Sequence, residues 1–323
     1  MVEVSGMPAS VGLMHGGFHG PNAAMEEALA TMTPDFMASD AGSTDAGPAF
    51  LGGEKGMTHR EGIKQSIAYI LPLVLEKKVP WLVGSAGLGG NRAGLTFFRE
   101  IVEEIAREKG LHFRVAFIDS EQDKGYLQKR LKEGKIKTLA PSSPLTEDDI
   151  DRSTHIVGMM GTEPYLRAMD EGAQVVLAGR SSDTSIFAAM PIRNGLPAGV
   201  AWHAAKILEC GAASVTVRRH PDGMMAWLRN DHFVVEAPNP DYICTPQSIA
   251  SHTLYENAHP FHILEPSGML DVTNARYEAI SDRSVRVWGS DFVPADKYTV
   301  KLEAAELVGY QSVIIGSIRD PVM

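Results

Sequence analysis

The chain has 323 residues, 44% of them hydrophobic and 22% charged, a make-up that excludes disorder and leaves room for a large core and two domains. Its 40 acidic against 30 basic side chains give a net charge of -10, which excludes a nucleic-acid footprint built on clustered Lys and Arg and favours a small-molecule ligand. Two cysteines make no disulfide framework, and no apolar run has the length of a bilayer span or the layout of a signal peptide, so no membrane contact and a cytoplasmic location are expected.

Ser10 to Met14 is a short apolar segment feeding the loop His15-Gly16-Gly17-Phe18-His19-Gly20-Pro21, and a helix follows from about Asn22 to Met32. His15 and His19 have the spacing of a helical ligand pair, but the glycines between them and Pro21 argue against a helix, so no metal site is expected there. Phe36 to Ser39 reads as a strand running into Asp40-Ala41-Gly42-Ser43-Thr44-Asp45-Ala46-Gly47-Pro48, whose Gly, Asp and Ser content makes it loop. Asp40 and Asp45 would push each other's pKa values apart and supply an acid and a base, or would brace the loop as Asx turns; Ser43 and Thr44 add ligand-binding hydroxyls.

A helix from about His59 to Lys77 buries Ile63, Ile67, Ile70, Leu71 and Val74, with a kink expected at Pro72. Val79 to Gly84 is a short buried strand; Gly87, Gly89 and Gly90 turn the chain tightly, and Asn91 caps a helix that buries Leu95, Phe98, Val102 and Ile105. Such a strand, turn and helix N-terminus aim free N–H groups at one point, an anion site comprising Ser85, Gly87, Gly89, Gly90 and Asn91. The alternative is a turn whose glycines only let helix and sheet pack closely. The spacing matches neither G-x-G-x-x-G nor the P-loop, and Val83 occupies the position where a nucleophile elbow around Ser85 needs glycine.

Leu111 to Ile118 is a strand ending at Asp119, and the loop through Glu121 and Asp123 opens a helix with a basic end. Ile156 to Met160 is the next strand, followed by Gly161-Thr162-Glu163-Pro164 and a helix with proline in its first turn. Gln174 to Ala178 leads into Gly179-Arg180-Ser181-Ser182-Asp183-Thr184, and helices cover about Ile186 to Arg193 and Gly199 to Cys210. From Ser214 onward short alternating runs such as Phe233-Val234-Val235, Val285-Arg286-Val287-Trp288 and Val313-Ile314-Ile315 predict strands, with one helix at about Pro246 to Glu256. The ending directly after a predicted strand points to a truncated chain or to an edge that another subunit covers.

Strand-then-helix repetition predicts an α/β fold: a mostly parallel, Rossmann-like sheet with helices on both faces over residues 1–212, plus a β-rich lobe over 213–323. Ligands bind such sheets beyond the carboxyl ends of the strands, where Asp40, Asp45, Ser85, Asn91, Glu163, Arg180, Ser181 and Asp183 all fall. Arg180 could clamp a carboxylate or phosphate while Asp183 exchanges protons; alternatively the two form an ion pair with Asp183 capping the next helix. Asp231 and His232 form a further orienter-and-base candidate, weakened because neighbours on a strand point to opposite faces.

Taken together, the run Ser39-Asp40-Ala41-Gly42-Ser43-Thr44-Asp45-Ala46-Gly47-Pro48, Gly84-Ser85-Ala86-Gly87, Asp148-Asp149-Ile150-Asp151-Arg152-Ser153-Thr154 and Ala178-Gly179-Arg180-Ser181-Ser182-Asp183 resemble the acyclic terpene utilisation protein A family. So do Ile207-Leu208-Glu209-Cys210-Gly211-Ala212, Asn230-Asp231-His232-Phe233-Val234-Val235-Glu236 and Ile318-Arg319-Asp320-Pro321. The resemblance runs from about Pro34 to the end and implies a part in degrading acyclic terpenes such as citronellol and geraniol, or in another catabolic setting. It carries no assigned catalytic residues and no certain cofactor.

The expectation that follows is a lyase or hydratase acting on an unsaturated carboxylate or an acyl-CoA thioester. Arg180 and the glycine loop would hold the anionic end, and Asp40, Asp45 or Asp183 would move the proton. The competing expectation is an acyl-ligand-binding subunit that completes a site only as a homo-oligomer or with a small companion chain. Hydrolysis through Ser85 is a third reading.

Overall fold

The computed structural model describes residues 4–8, 23–45, 47–53, 59–219, 221–317 and 319. The predicted strand Ser10 to Met14 and the loop with His15 and His19 lie outside them. Among the described residues the first strand is β1 (Val4–Pro8), followed by α1 (Ala23–Thr31), β2 (Phe36–Asp40), α2 (Pro48–Gly52), α3 (Arg60–Lys77), β3 (Trp81–Gly84), α4 (Arg92–Lys109) and β4 (Val115–Ile118). Then come α5 (Lys124–Lys132), α6 (Glu147–Arg152), β5 (Ser153–Met159), α7 (Glu163–Asp170), β6 (Val175–Ala178), α8 (Ser185–Arg193) and α9 (Ala198–Leu208). The remainder is β7 (Met225–Leu228), β8 (His232–Glu236), α10 (Pro246–Thr253), β9 (His262–Glu265), β10 (Gly268–Asp271), β11 (Arg276–Ala279), β12 (Val285–Trp288), β13 (Asp291–Pro294) and β14 (Lys301–Glu306).

Four parallel pairings join β1, β2, β3, β6 and β4, in that spatial order, as the strand-helix alternation requires. Their residues divide between two cores. Phe36, Ala38, Leu82, Val176 and Ala178 pack with residues of α7, α8 and α9, whereas Met37, Trp81, Val83, Val175 and Leu177 pack with residues of α1, α3 and α4. Alternate side chains of one strand face opposite sides, so a sheet clad in helices on both faces must be apolar at every strand position. The order differs from the 3-2-1-4-5-6 arrangement of the dinucleotide-binding sheet.

Antiparallel strands β7, β8, β12 and β11 extend the same sheet beyond β1, to nine strands in all. A separate three-stranded sheet, β13-β10-β9, lies against α9, where Trp202 stacks on Phe292 with ring centroids 5.7 Å apart. The β-rich character expected after residue 213 is therefore real, but half of those strands continue the parallel sheet.

Two predicted strands behave differently from expectation. The segment Ile156 to Met160 falls mostly in β5, which pairs antiparallel with β14 and meets the loops beyond β4 and β6 through bridges between Glu121 and Val157 and between Met160 and Ser181. Val157 packs with Leu51 and Ala305 in a small core of its own, so the apolar face that suggested a sheet strand is covered by α2 and β14. Val313-Ile314-Ile315 is no strand: no partner strand meets it among the described residues, and Val313, Ile314 and Ile315 are 76%, 95% and 92% exposed.

No helix among the described residues is long and apolar enough to cross a membrane, and Cys210 and Cys244 are both free thiols.

Candidate functional site

Three strands end side by side. Asp40 closes β2 opposite Gly84 of β3, and the backbone stays laced beyond the strands: Ala41 N donates to Gly84 O, Ser85 N to Gly179 O and Arg180 N to Gly90 O. This lacing sets Asp40, Ser85 and Arg180 next to one another. It also explains the glycines. Gly90 has φ +67° and a Cβ there would lie 2.3 Å from the Arg180 backbone nitrogen, while a Cβ on Gly87 would lie 2.1 Å from the Cα of Gly94 on α4. A Cβ on Gly89 would meet the backbone of Leu51 in the same way.

Asn91 caps α4 as expected, accepting from Gly94 N at 2.8 Å, and its amide donates to Leu51 O. The anion at this helix N-terminus is the chain's own. Arg92 N donates to Glu121 Oε2 at 2.9 Å, and Glu121 Oε1 lies 2.6 Å from His155 Nδ1. The glycines permit this close packing, and Glu121 takes a position at the helix N-terminus that the dipole favours. Arg92, Thr96, Phe97, Glu121 and His155 line an open cleft that contains none of the buried carboxylates described next.

Arg180 is a hub. Its side chain is only 5% exposed, and it donates through Nε to Glu303 Oε2 at 2.8 Å and through Nη1 to Asp183 Oδ1 at 3.0 Å, Ser85 Oγ at 3.1 Å and Ser181 O at 2.9 Å. Burial works against its charge, but Asp183 and Glu303 outweigh burial and raise its pKa. For Glu303 burial likewise opposes ionisation, and Arg180 with Lys301 brings the carboxyl below its usual range. Nε and Nη1 of the guanidinium are thus engaged by protein partners, as the ion-pair alternative expects. Asp183 makes the predicted ion pair but no cap: Thr184 is the N-cap of α8, without a side-chain cap bond.

The charge of Asp183 also bears on Asp40, the residue that closes β2. Burial raises the pKa of Asp40 well above its usual value, and the Asp183 charge adds to this, against a hydrogen bond from Gly42 N and the pull of Arg180. Asp40 thus feels the charge of Asp183, which comes from a different strand end. Asp45 is exposed and its N–H donates to Ser43 Oγ at 3.0 Å, while Thr44 O accepts from Gly47 N, so this loop braces itself.

Ser85 is fully buried at φ 51°, and its Oγ accepts from Arg180 and from Ser181 N, so its hydroxyl oxygen faces donors rather than a base. Ser181 Oγ pairs with Tyr165 OH at 2.6 Å. Glu163 lies at the start of α7, hydrogen-bonded to Tyr298. Asp231 and His232 do pair, at 2.7 Å, at the start of β8, with Asp231 exposed.

Four charged residues of this neighbourhood were not singled out by sequence reasoning. Glu265, at the end of β9, accepts from Ser182 Oγ at 2.6 Å and from Thr184 Oγ1. Lys206 on α9 is ion-paired with Glu209, both nearly inaccessible, and Glu303 reaches Arg180 from β14. Lys206 and Glu209 had a signal, being a charged i, i+3 pair at the end of the mostly apolar helix AGVAWHAAKIL, with Glu209 as its C-cap. Glu265 and Glu303 had none. The charge of Asp183 acts on Asp40, Glu209 and Glu265, and burial is the largest cause that raises the pKa of these three carboxyls.

Glu265 makes this measurable. Burial pushes its carboxyl up to about 7, and Asp183 adds to the shift. The folded form then holds its proton more tightly than the unfolded form, so this contribution to stability is complete below about pH 4 and fades as pH rises through about 7. Glu265→Gln, which keeps an acceptor for one hydroxyl and offers the other an N–H to accept, should flatten a loss of about 1–3 kcal/mol between about pH 5 and 8. Melting temperatures of both forms across that range check it, and parallel profiles refute it.

A model of the family described as "Acyclic terpene utilisation family protein AtuA" matches residues 11–215 of the chain. No curated protein and no solved structure matches it.

Proposed function

The chain belongs to the acyclic terpene utilisation family AtuA, and from that premise we propose that it is a lyase of the hydratase type acting on an unsaturated carboxylate or acyl thioester. The observation that carries this reading is the pair of carboxyl groups Asp40, at the end of β2, and Asp183, beyond the end of β6 two strands over, the first pushed toward its acid form by burial and by the second. Asp183, 26% exposed and held by Arg180, is the base. It takes a proton from water as the hydroxyl adds to the β-carbon, while Asp40 gives its proton to the α-carbon. The proton gained by Asp183 then restores Asp40, and the atoms balance over one turnover. The reverse direction eliminates water.

Incubating the chain with α,β-unsaturated acids and their CoA thioesters in heavy water tests this. One deuterium should appear at the α-carbon of a hydroxy product, and Asp183→Asn should slow its formation at least about tenfold. Product without deuterium, or unchanged turnover, removes the pair from the mechanism.

A second reading, an acyl-binding subunit completed by another chain, draws on the exposed Val308, Tyr310, Ile314 and Ile315. Turnover by the isolated chain, run as a single species on gel filtration, excludes it.

A further inference from the structure

At the C-terminal end of α9, beside the carboxylate neighbourhood but outside the mechanism just given, stand Glu209 and Cys210. His252, in the last turn of α10, faces them. One ligand atom from each of Glu209, Cys210 and His252 lies within 4.8 Å of the others. His252 is 6% exposed, and its Nε2 is buried without a hydrogen-bond partner. A buried imidazole nitrogen normally finds a partner, and leaving one unpaired costs about 1–3 kcal/mol. Stacking of His252 on Tyr255 at 5.6 Å satisfies the ring face but not the nitrogen.

We infer that Glu209, Cys210 and His252 bind a divalent metal ion of the zinc class, with a fourth position open toward solvent. The donor set is one thiolate, one imidazole and one carboxylate, which suits a borderline-soft ion and not magnesium or calcium. A tetrahedral zinc with bonds of about 2.0–2.3 Å holds its ligand atoms roughly 3.3–3.8 Å apart, so small side-chain rotations close the present spacing. Two elements in mutual contact, α9 and α10, carry the donors. Lys206 donates to Oε1 of Glu209, and a carboxylate has two oxygens, so an ammonium and a metal ion can share it. Cys210 is only partly buried, which leaves an approach for the ion and for a water or ligand in the fourth position. Uptake replaces the thiol proton: the S–H bond breaks, the proton leaves to solvent and the sulfur lone pair binds the metal.

This inference does not depend on the hydratase reading. The full chain, stripped with chelator, is titrated with cobalt(II). The expected result is one cobalt per chain with a thiolate-to-cobalt charge-transfer band and the visible bands of a tetrahedral ion, displaced by zinc. Cys210→Ser should abolish the charge-transfer band with an unchanged circular dichroism spectrum, and His252→Gln should weaken binding at least about tenfold. No band with the wild type, or a band that persists in Cys210→Ser, overturns the proposal. Should Cys210→Ser not fold, thiol labelling of the wild type decides: zinc should shield Cys210 while magnesium leaves it reactive, and equal labelling with both overturns the proposal.

Discussion

Arg180→Ala should lower the stability of the folded chain by about 3–5 kcal/mol, the largest single loss expected at the site. The guanidinium is nearly inaccessible and holds Glu303, Asp183, Ser85 and the Ser181 carbonyl together. Its removal leaves the Glu303 carboxylate, 10% exposed, without its principal cation, and releases β14 from the ends of the parallel strands. Arg180→Lys should recover only a small part, because one ammonium at the end of a flexible stem cannot reach Glu303 and Asp183 on opposite sides at once. Adding Glu303→Gln to Arg180→Ala should return part of the loss, since the stranded charge is gone; the two changes share a partner and will not add. Urea denaturation midpoints of the three variants measure this. A loss below about 1 kcal/mol for Arg180→Ala would mean that the hub contributes no more than a surface ion pair.

Asp40→Asn should reduce turnover by about 10²–10⁴-fold while the chain stays folded. Asparagine keeps the acceptor for Gly42 N but carries no proton to transfer. Stability should move the other way. Asp40 holds its proton to higher pH in the folded chain than in the unfolded one, so its contribution is present below about pH 4 and is lost as pH rises through the raised folded value. Asp40→Asn, neutral throughout, should therefore be the more stable form at alkaline pH. The rate profile adds an independent check: wild-type activity should fall on the alkaline side as Asp40 ionises, and residual activity of Asp183→Asn should fall at lower pH, because the neighbouring negative charge is missing. An alkaline limb that does not move with Asp183→Asn would assign the titration to another group.

Much of the fold was legible because its signals are local. Val79 to Gly84 is apolar at every position, which is what a strand buried on both faces requires, and Trp81 to Gly84 is such a strand. Asn91 announces its helix through a short side chain that can accept from the backbone three residues on. The glycines of the same turn were harder. Conformational freedom and close packing leave the same letters in a sequence, and only the approach of Gly90 to Arg180 and of Gly87 to Gly94 tells them apart.

Strand-helix order by itself determined a sheet covered on both faces and the strand ends that carry Asp40, Ser85, Arg180 and Asp183, while the residue runs that resemble the family pointed to the one whose model matches the chain. Tertiary structure alone decided which charges meet. Asp40 pairs in field with Asp183 rather than Asp45, Arg180 is claimed by Glu303 from 123 positions away, and Glu209, Cys210 and His252 converge from two helices. The physical reason is range: propensity, capping and apolar periodicity act over a few residues, whereas a carboxyl's pKa or a metal site depends on every charge and lone pair that packing brings within several ångströms, whatever its place in the chain.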